Sequence, residues 1–532
     1  MSSPAPSAQK DRGLGTFAGV FTPSVLTILG IILFLRLGYV VGNSGLGRAL
    51  VILALANTIS VLTSISLSAI ATNLRVKAGG DYYVISRTLG VAFGGAIGVV
   101  LFLSQSISIA FYAIGFGEAV TTLVPDAAPW LPQAIAGVAV ATLFVLAWAG
   151  ADLATKFQFV VMAVLVLAIA AFFVGGLPRF ELGRVADGWA RDDPAPFWAM
   201  FALFFPAVTG FTQGVSLSGD LRDPSRSLPL GTFAAVGVSL VAYAGIAVLF
   251  AAAQPLEGLR SDYLALKRLS SLPLLADVGV IAATLSSALA SLLGAPRILQ
   301  AMARDRLFRV ITPFARGSGT RDNPRRALLL AFGIAMAGIA LGDLNAIAPV
   351  ISMSLLISYA LLNYATFVEA RGNSPGFRPR FRFFHAYASL AGTVVCGFFM
   401  LSIAPVAGLV ALALVSAVYQ YLRADAVPGR WADSRRAYGF RTVKETLQRL
   451  ARQPETEWSH QPHVMAFTEH TGRRDLVVRF ASWLSGTSGL TVAVEIVEAA
   501  EELRKGRPAP RPASGAPSAR CCRTGSCSWW GA

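Results

Sequence analysis

Apolar runs of about 20 residues recur along most of this chain, separated by short polar stretches, and that length is what an α-helix needs to cross a hydrocarbon core. About twelve such spans are predicted. They begin near Phe17, Leu46, Leu89, Trp130, Leu153, Ala195, Leu228, Pro273, Arg326, Leu344, Phe384 and Pro405. The last, Val406 to Leu422, is short and close to its neighbour, so the count holds to within one.

Two spans are interrupted by short polar, glycine-containing turns. One lies in PSVLTILGIILFLR, Pro23 to Arg36, and the other in FFPAVTGFTQGVSLSGD, Phe204 to Asp220. Lipid cannot satisfy free N–H and C=O groups, so an unwound backbone at membrane depth is tolerated only where it is buried in protein or lines a cavity. Both breaks follow F-x-P-x-V, at Phe21, Pro23 and Val25 and again at Phe204, Pro206 and Val208. A five-residue match in apolar text is weak alone. At spans one and six, the corresponding positions of two inverted halves, it gains weight. The expected fold is therefore an all-α polytopic membrane protein with about twelve helices, a five-plus-five inverted repeat with helices one and six broken, and two helices outside the repeat.

Beyond Leu422 the text changes to YGFRTVKETLQRLARQ, an amphipathic helical pattern, and then to HVMAFTE, DLVVRFASWLS and GLTVAVEIV between polar turns. Strands mixed with helices are expected there, giving a partial α/β cytosolic domain over residues 423–505. Residues 1–16 and 506–532 are expected to be disordered, because neither can bury enough apolar surface to order itself. The ending CCRTGSCSWWGA looks unlike the domain before it. The transporter domain is placed at 17–422.

A hydrophobic fraction of 55% and a mean hydropathy of +0.60 agree with a membrane protein. The net charge of +16 does not point to nucleic acid, since the even-to-odd loops collect most Arg and Lys, including Arg75, Lys77, Arg304, Arg306, Arg325, Arg378, Arg380 and Arg382. That asymmetry places both termini in the cytoplasm, and a multi-pass protein of the plasma membrane is expected. No cleavable signal peptide is expected, and Cys396, Cys521, Cys522 and Cys527 form neither a disulfide framework nor a zinc pair. GLGTFA matches a loose dinucleotide pattern without the required strand, and His460, His463 and His470 read as solvated. Arg36 and Glu118 stand near span ends, where snorkelling or a gate salt bridge would account for them. No catalytic set, nucleophile elbow or P-loop is present, so neither an enzyme nor a cofactor is expected.

Each break starts a half-helix whose first amides lack a partner one turn back: Gly30, Ile31 and Ile32 in span one, and Gly210, Phe211 and Thr212 in span six. Free amides at the positive end of a helix dipole suit an anion. The plainer reading is that each glycine only permits close helix packing. The breaks also release carbonyls at Leu26, Thr27, Ile28, Leu29 and Pro206, with hydroxyls from Thr27, Thr209 and Tyr112 nearby, which suit an alkali cation. Without an Asp or Glu in either break, a cation is best compensated by a bound anion. Ser286 and Ser287 on span eight could complete a sodium shell with the carbonyls of Leu26 and Leu29, or could bond their own preceding turn.

Long motifs carry a family resemblance. GVFTPSVLTILGIILFLRLGYVVGNSGL, ISRTLG, FFPAVTG with SGDLRDPSRSLPLGT, SSALASLLGAPRILQAMARD and RPRFRFFH resemble the cation-chloride cotransporters of the amino acid, polyamine and organocation superfamily, over about residues 13–422. The resemblance implies one chloride site at the amides of Gly30, Ile31 and Ile32 and another at Gly210, Phe211 and Thr212 with the Tyr359 hydroxyl. It implies a potassium site at Thr27, Ile28, Tyr112, Pro206 and Thr209, and a sodium site at Leu26, Leu29, Ser286 and Ser287. Thr27 departs from the asparagine of potassium-transporting members. The serine pair resembles the sodium-coupled branch, while GAPRILQA also resembles potassium-chloride members and ISRTLG with DPSRSLPLGT resembles orphan members.

The function expected is symport of chloride with sodium, potassium or both by alternating access. The rivals are an amino acid or amine permease on the same fold and a non-transporting regulatory membrane protein. The expected partners are the transported ions and the lipid bilayer, with no nucleic acid. The cytosolic part is expected to modulate the transporter or form a homodimer.

Overall fold

The computed structural model describes residues 14–73, 82, 85–86, 91–149, 154–216, 221–319, 322–340, 342–372, 377–424, 442–449, 463–468, 471–486 and 490–495. The chain divides into two compact units, Met1–Arg441 and Thr442–Ala532.

Among the described residues of the first unit, eleven helices are long and apolar enough to cross a membrane. They are span 1 (Phe17–Leu35), span 2 (Leu46–Asn73), span 3 (Val91–Thr121), span 4 (Leu131–Ala149), span 5 (Ala154–Gly176), span 6 (Phe197–Val215), span 7 (Pro224–Ala253), span 8 (Pro273–Arg304), span 10 (Leu344–Gly372), span 11 (Ala386–Ile403) and span 12 (Pro405–Ala424). The predicted ninth span forms as Arg325–Ala340. Its 16 residues rise only about 24 Å at 1.5 Å each, which makes it the short one. Most of these helices are apolar on every side, and a helix that is hydrophobic all round belongs in lipid or at the centre of a bundle.

The packing brings corresponding helices of the two halves together. Span 1 lies against span 6, span 2 against span 7, span 3 against span 8 and span 4 against span 9. Spans 1 and 6 take the centre: Leu26, Ile28, Leu33, Phe201, Phe205 and Phe211 are all buried. Spans 4, 5, 11 and 12 present apolar side chains outward, among them Val138, Val160, Val394 and Val406. Side chains facing lipid gain nothing by being covered, so an apolar exterior is what a membrane bundle should show.

In the second unit the strands His463–Thr468 and Leu490–Glu495 pair in parallel, with His463 opposite Leu490 and Thr468 opposite Glu495. A parallel pair needs a crossover, which the helix Thr471–Ser485 supplies. The apolar segment DLVVRFASWLS is therefore helical, while parts of HVMAFTE and GLTVAVEIV are strand. A further helix covers 442–449. The N-terminal residues 1–13, the 496–532 tail, His460 and His470 lie outside the described residues.

Candidate ion site at the two helix breaks

Both interruptions form where the sequence places them. In span 1 the helix Thr22–Ile28 ends with the Leu29 amide on the Val25 carbonyl at 2.8 Å, and Ile31–Leu35 starts anew after Gly30. The first bond of the new half runs from the Leu33 amide to the Gly30 carbonyl at 3.2 Å, so the amides of Gly30, Ile31 and Ile32 precede its ladder. In span 6 the helix Phe197–Phe204 tightens into two 3₁₀ turns, Phe205–Val208 and Gly210–Thr212, before Gln213–Ser216 resumes. Pro206 has no amide to donate, and proline inside a helix breaks the regular ladder.

The breaks touch each other. A Cβ on Gly210 would stand 2.7 Å from the Thr27 Cβ and 2.8 Å from the Ile28 nitrogen, closer than any real side chain tolerates. At Gly30 the nearest atoms to the same construction are the Thr27 and Leu26 carbonyl oxygens, at 3.2 and 3.3 Å. Gly210 thus lets span 6 reach the unwound backbone of span 1, which brings the residues read as chloride-binding and potassium-binding into one neighbourhood.

The individual oxygens are engaged as follows. The Thr27 hydroxyl donates back to the Pro23 carbonyl at 2.9 Å, and the Thr209 hydroxyl donates to the Pro206 carbonyl at 2.8 Å. The Tyr359 hydroxyl, from span 10, donates to the Thr209 carbonyl at 2.9 Å, and its ring lies 5.4 Å from that of Phe211. Tyr112 of span 3 is buried. Span 8 packs against Thr22–Ile28, and there the two hydroxyl types part company. Thr284 bonds its own preceding turn, at 2.7 Å to the Val280 carbonyl, whereas the buried Ser287 hydroxyl has no hydrogen-bond partner. Ser286 is buried beside it. An unpartnered buried hydroxyl is costly unless something unseen uses it.

Four contributors to this site carry no signal in the sequence. Ser60 of span 2 donates to the Val208 carbonyl at 2.8 Å, Ser24 to the Phe211 carbonyl at 3.3 Å, and Ser352 to the Ala202 carbonyl at 2.6 Å. Tyr243 of span 7 donates to the Ile28 carbonyl at 2.8 Å. Serines and tyrosines are common in membrane helices, and only the fold aims these at carbonyls in and next to the breaks.

On the side of the odd-to-even loops, Arg36 is buried and fully engaged. It pairs with Glu118 at 2.7 Å and the Asn345 side-chain oxygen at 2.8 Å, and stacks 3.9 Å over the Tyr263 ring. Of the two readings offered for Arg36 and Glu118, the salt bridge is the one formed. A cleft of about 520 Å³ on the same side is lined by Arg184, Arg191, Asp193, Gln254, Glu257 and Arg260. The Arg191 hydrogen bond holds the Glu257 carboxyl below its usual range.

The description that matches this chain is that of the amino acid permeases, over residues 19–449. Solute carrier family 12 member 2 of Mus musculus is 31% identical over 534 residues, covering 90% of this chain and 44% of its own length. The member 2 protein of Danio rerio is 32% identical over 500 residues, with 82% and 44% covered. Member 1 of Homo sapiens is 30% identical over 539 residues, with 91% and 49% covered. The chain spans about half the length of the curated relatives it matches. Among solved structures, that of Mhp1, a nucleobase-cation-symport-1 family transporter with bromovinylhydantoin bound, aligns with 82% of this chain and all of its own at a TM-score of 0.47 and 16% identity.

Proposed function

Since the chain belongs to the amino acid permease family and its relatives include members of solute carrier family 12, we propose that it is a secondary active symporter coupling chloride to an alkali cation by alternating access. The observation that carries this reading is the meeting of the two breaks at Gly210, Thr27 and Ile28. It sets half-helix amides beside released carbonyls in a buried place whose breaks contain no acidic side chain. Such a place holds a cation comfortably only when an anion shares it, because opposite charges at close range cancel each other's cost of leaving water.

In this reading chloride sits on the amides of Gly30, Ile31 and Ile32, and on those of Gly210, Phe211 and Thr212 with Tyr359. Sodium sits between the carbonyls of Leu26 and Leu29 and the hydroxyls of Ser286 and Ser287. The unpartnered Ser287 hydroxyl supports that assignment. The loops rich in Arg face the cytoplasm, and the Arg36–Glu118 pair closes the opposite side of the plasma membrane. The second unit modulates the transporter or joins two copies. Moving cation and chloride together avoids carrying net charge through the potential, worth about 2.3 kcal/mol per charge per 100 mV.

The test is isotope uptake into proteoliposomes, with sodium, potassium and amino acids offered in turn. Chloride-dependent sodium uptake is expected. Amino acid uptake that ignores chloride would overturn the reading in favour of a permease.

A further inference from the structure

On the outward side of the bundle, spans 3, 4 and 8 enclose an apolar groove of about 700 Å³, lined by Phe116, Leu131, Val138, Leu146, Leu285 and Leu289. Its wall on span 4 is open to the surroundings, with Val138 68% and Leu146 47% exposed. Thr142 is the polar residue of the lining, and its hydroxyl donates back to the Val138 carbonyl at 2.9 Å. One helical turn further on, the same faces of spans 4 and 8 continue into a narrower cleft of about 40 Å³. Ala147, Leu292, Leu293 and Arg297 line it, with Arg325 at the start of span 9. At this end the lining becomes cationic. Arg297 is exposed and makes no hydrogen bond or ion pair among the described residues. Arg325 rests its guanidinium 5.1 Å over the Trp148 ring, and its Nε is buried without a hydrogen-bond partner. Asp322, close by in the chain, is committed to Arg304.

We infer that this groove is a binding site for one anionic phospholipid, with an acyl chain lying along spans 4 and 8 and the phosphate headgroup on Arg297 and Arg325.

Length, polarity and charge each favour that occupant. From Leu285 to Arg297 span 8 rises about 18 Å, a little more than half of a hydrocarbon core about 30 Å thick. The apolar stretch thus covers the depth of one leaflet, and the two arginines stand at its rim. An uncharged lipid would fill the groove and leave both cations without a counter-charge, while a free inorganic anion would meet the cations and leave the groove unused. An anionic lipid answers both. Trp148 stands where membrane proteins favour tryptophan, at the boundary of headgroups and chains. Its ring supports the Arg325 guanidinium without neutralising it, and a guanidinium forks well onto phosphate oxygens. Loops rich in Arg lie at this end, so the lipid comes from the leaflet they face, the cytoplasmic one in the reading above. Leu285 and Leu289 line the groove from span 8, while the neighbouring Ser286 and Ser287 are buried in the bundle. The bound chain therefore backs the helix that carries the serine pair.

The test uses the full chain, purified in detergent, and reads lipid retention by native mass spectrometry with dioleoyl phosphatidylglycerol or dioleoyl phosphatidylcholine added in turn. The wild type should hold phosphatidylglycerol about thirtyfold more tightly than phosphatidylcholine, as two arginines at one anionic headgroup imply. Inorganic phosphate should not displace the lipid; displacement would reveal an anion site without a chain and overturn the proposal. Arg297→Gln combined with Arg325→Gln should erase the preference and leave phosphatidylcholine retention unchanged. Because Arg297 is exposed, Arg297→Gln alone spares the fold and should lower phosphatidylglycerol retention by about fivefold. Ala139→Phe fills the groove from a half-buried position and should reduce retention of both lipids. Equal retention of the two lipids by the wild type would overturn the site, as would an unchanged preference in the arginine variants. Ala139→Phe protein that keeps its lipid but changes its oligomeric state would give the groove to a second copy of the chain instead. Chloride uptake enters none of these measurements, so this site and the symport reading stand or fall separately.

Discussion

The two interrupted helices solve the same problem in different ways. The span 6 break is wound into 3₁₀ turns and tied from outside by several side chains: Ser60 on Val208, Ser24 on Phe211 and Tyr359 on Thr209. The span 1 break is a sharper interruption at Leu29 and Gly30, and the side-chain tie seen on its released carbonyls is Tyr243 on Ile28. A pinned loop serves as a template, and a sparsely tied one keeps its backbone groups for ligands. In the proposed symport reading, the asymmetry makes span 6 the scaffold and span 1 the principal ion-binding strip.

The contact between them is the place to break that arrangement most severely. Gly210→Val drives a branched side chain into the Thr27 Cβ and Ile28 nitrogen, at 2.7 and 2.8 Å, and span 1 cannot retreat without losing its place. Chloride uptake should be abolished. Gly30→Ala, whose Cβ meets carbonyl oxygens no closer than 3.2 Å, should retain measurable transport. Equal damage at the two glycines would show that the breaks do not depend on each other.

The ligand strip is sharpened next by Ser286→Ala with Ser287→Ala. If their hydroxyls serve sodium, losing two polar contacts to a charge, each worth about 1.5 to 3 kcal/mol, should lower sodium affinity by at least roughly tenfold. The helix should persist, because alanine is the best helix former. Superimposable curves of chloride uptake against sodium concentration would return both serines to a packing role.

The scaffold role of span 6 has a smaller signature. Ser60→Ala strips the Val208 carbonyl of its donor in a buried site, a loss of about 1 to 3 kcal/mol in stability, readable as a lower unfolding midpoint. Ser24→Ala should cost less, since its bond to Phe211 is long at 3.3 Å. A reversed order would mean that the longer tie matters more.

The smallest effect lies in the loop cleft, far from both breaks. Glu257 is held below its usual value of 4.5, chiefly by the Arg191 hydrogen bond. A lowered carboxylate contributes stability above its unfolded value and loses it as pH falls through the lowered one. Acidification below about pH 4.5 should therefore weaken the Arg191–Glu257 tie slightly, and Glu257→Gln should remove that part of the acid dependence. A midpoint whose acid dependence is the same in both proteins would show that the pair contributes nothing.

Much of this was legible in the sequence because the signals are local. A run of apolar residues crosses a membrane by its length, and Pro206, Gly30 and Gly210 interrupt helices through their own backbone chemistry, so the spans and both breaks follow from reading along the chain. The short ninth helix, Arg325–Ala340, was likewise marked by its apolar run. The candidate sodium serines were visible as a pair, but not that Ser287 would go unpartnered while Thr284 bonds its own turn.

What only the tertiary structure decided is which polar groups answer which carbonyls. Ser60 finds Val208 across 148 positions and Tyr243 finds Ile28 across 215, and nothing in the neighbourhood of either residue distinguishes it from other membrane serines and tyrosines. An unwound carbonyl must be satisfied, yet the donor is chosen by which helix face the packing brings within 3 Å, and that is a property of the assembled bundle rather than of any segment.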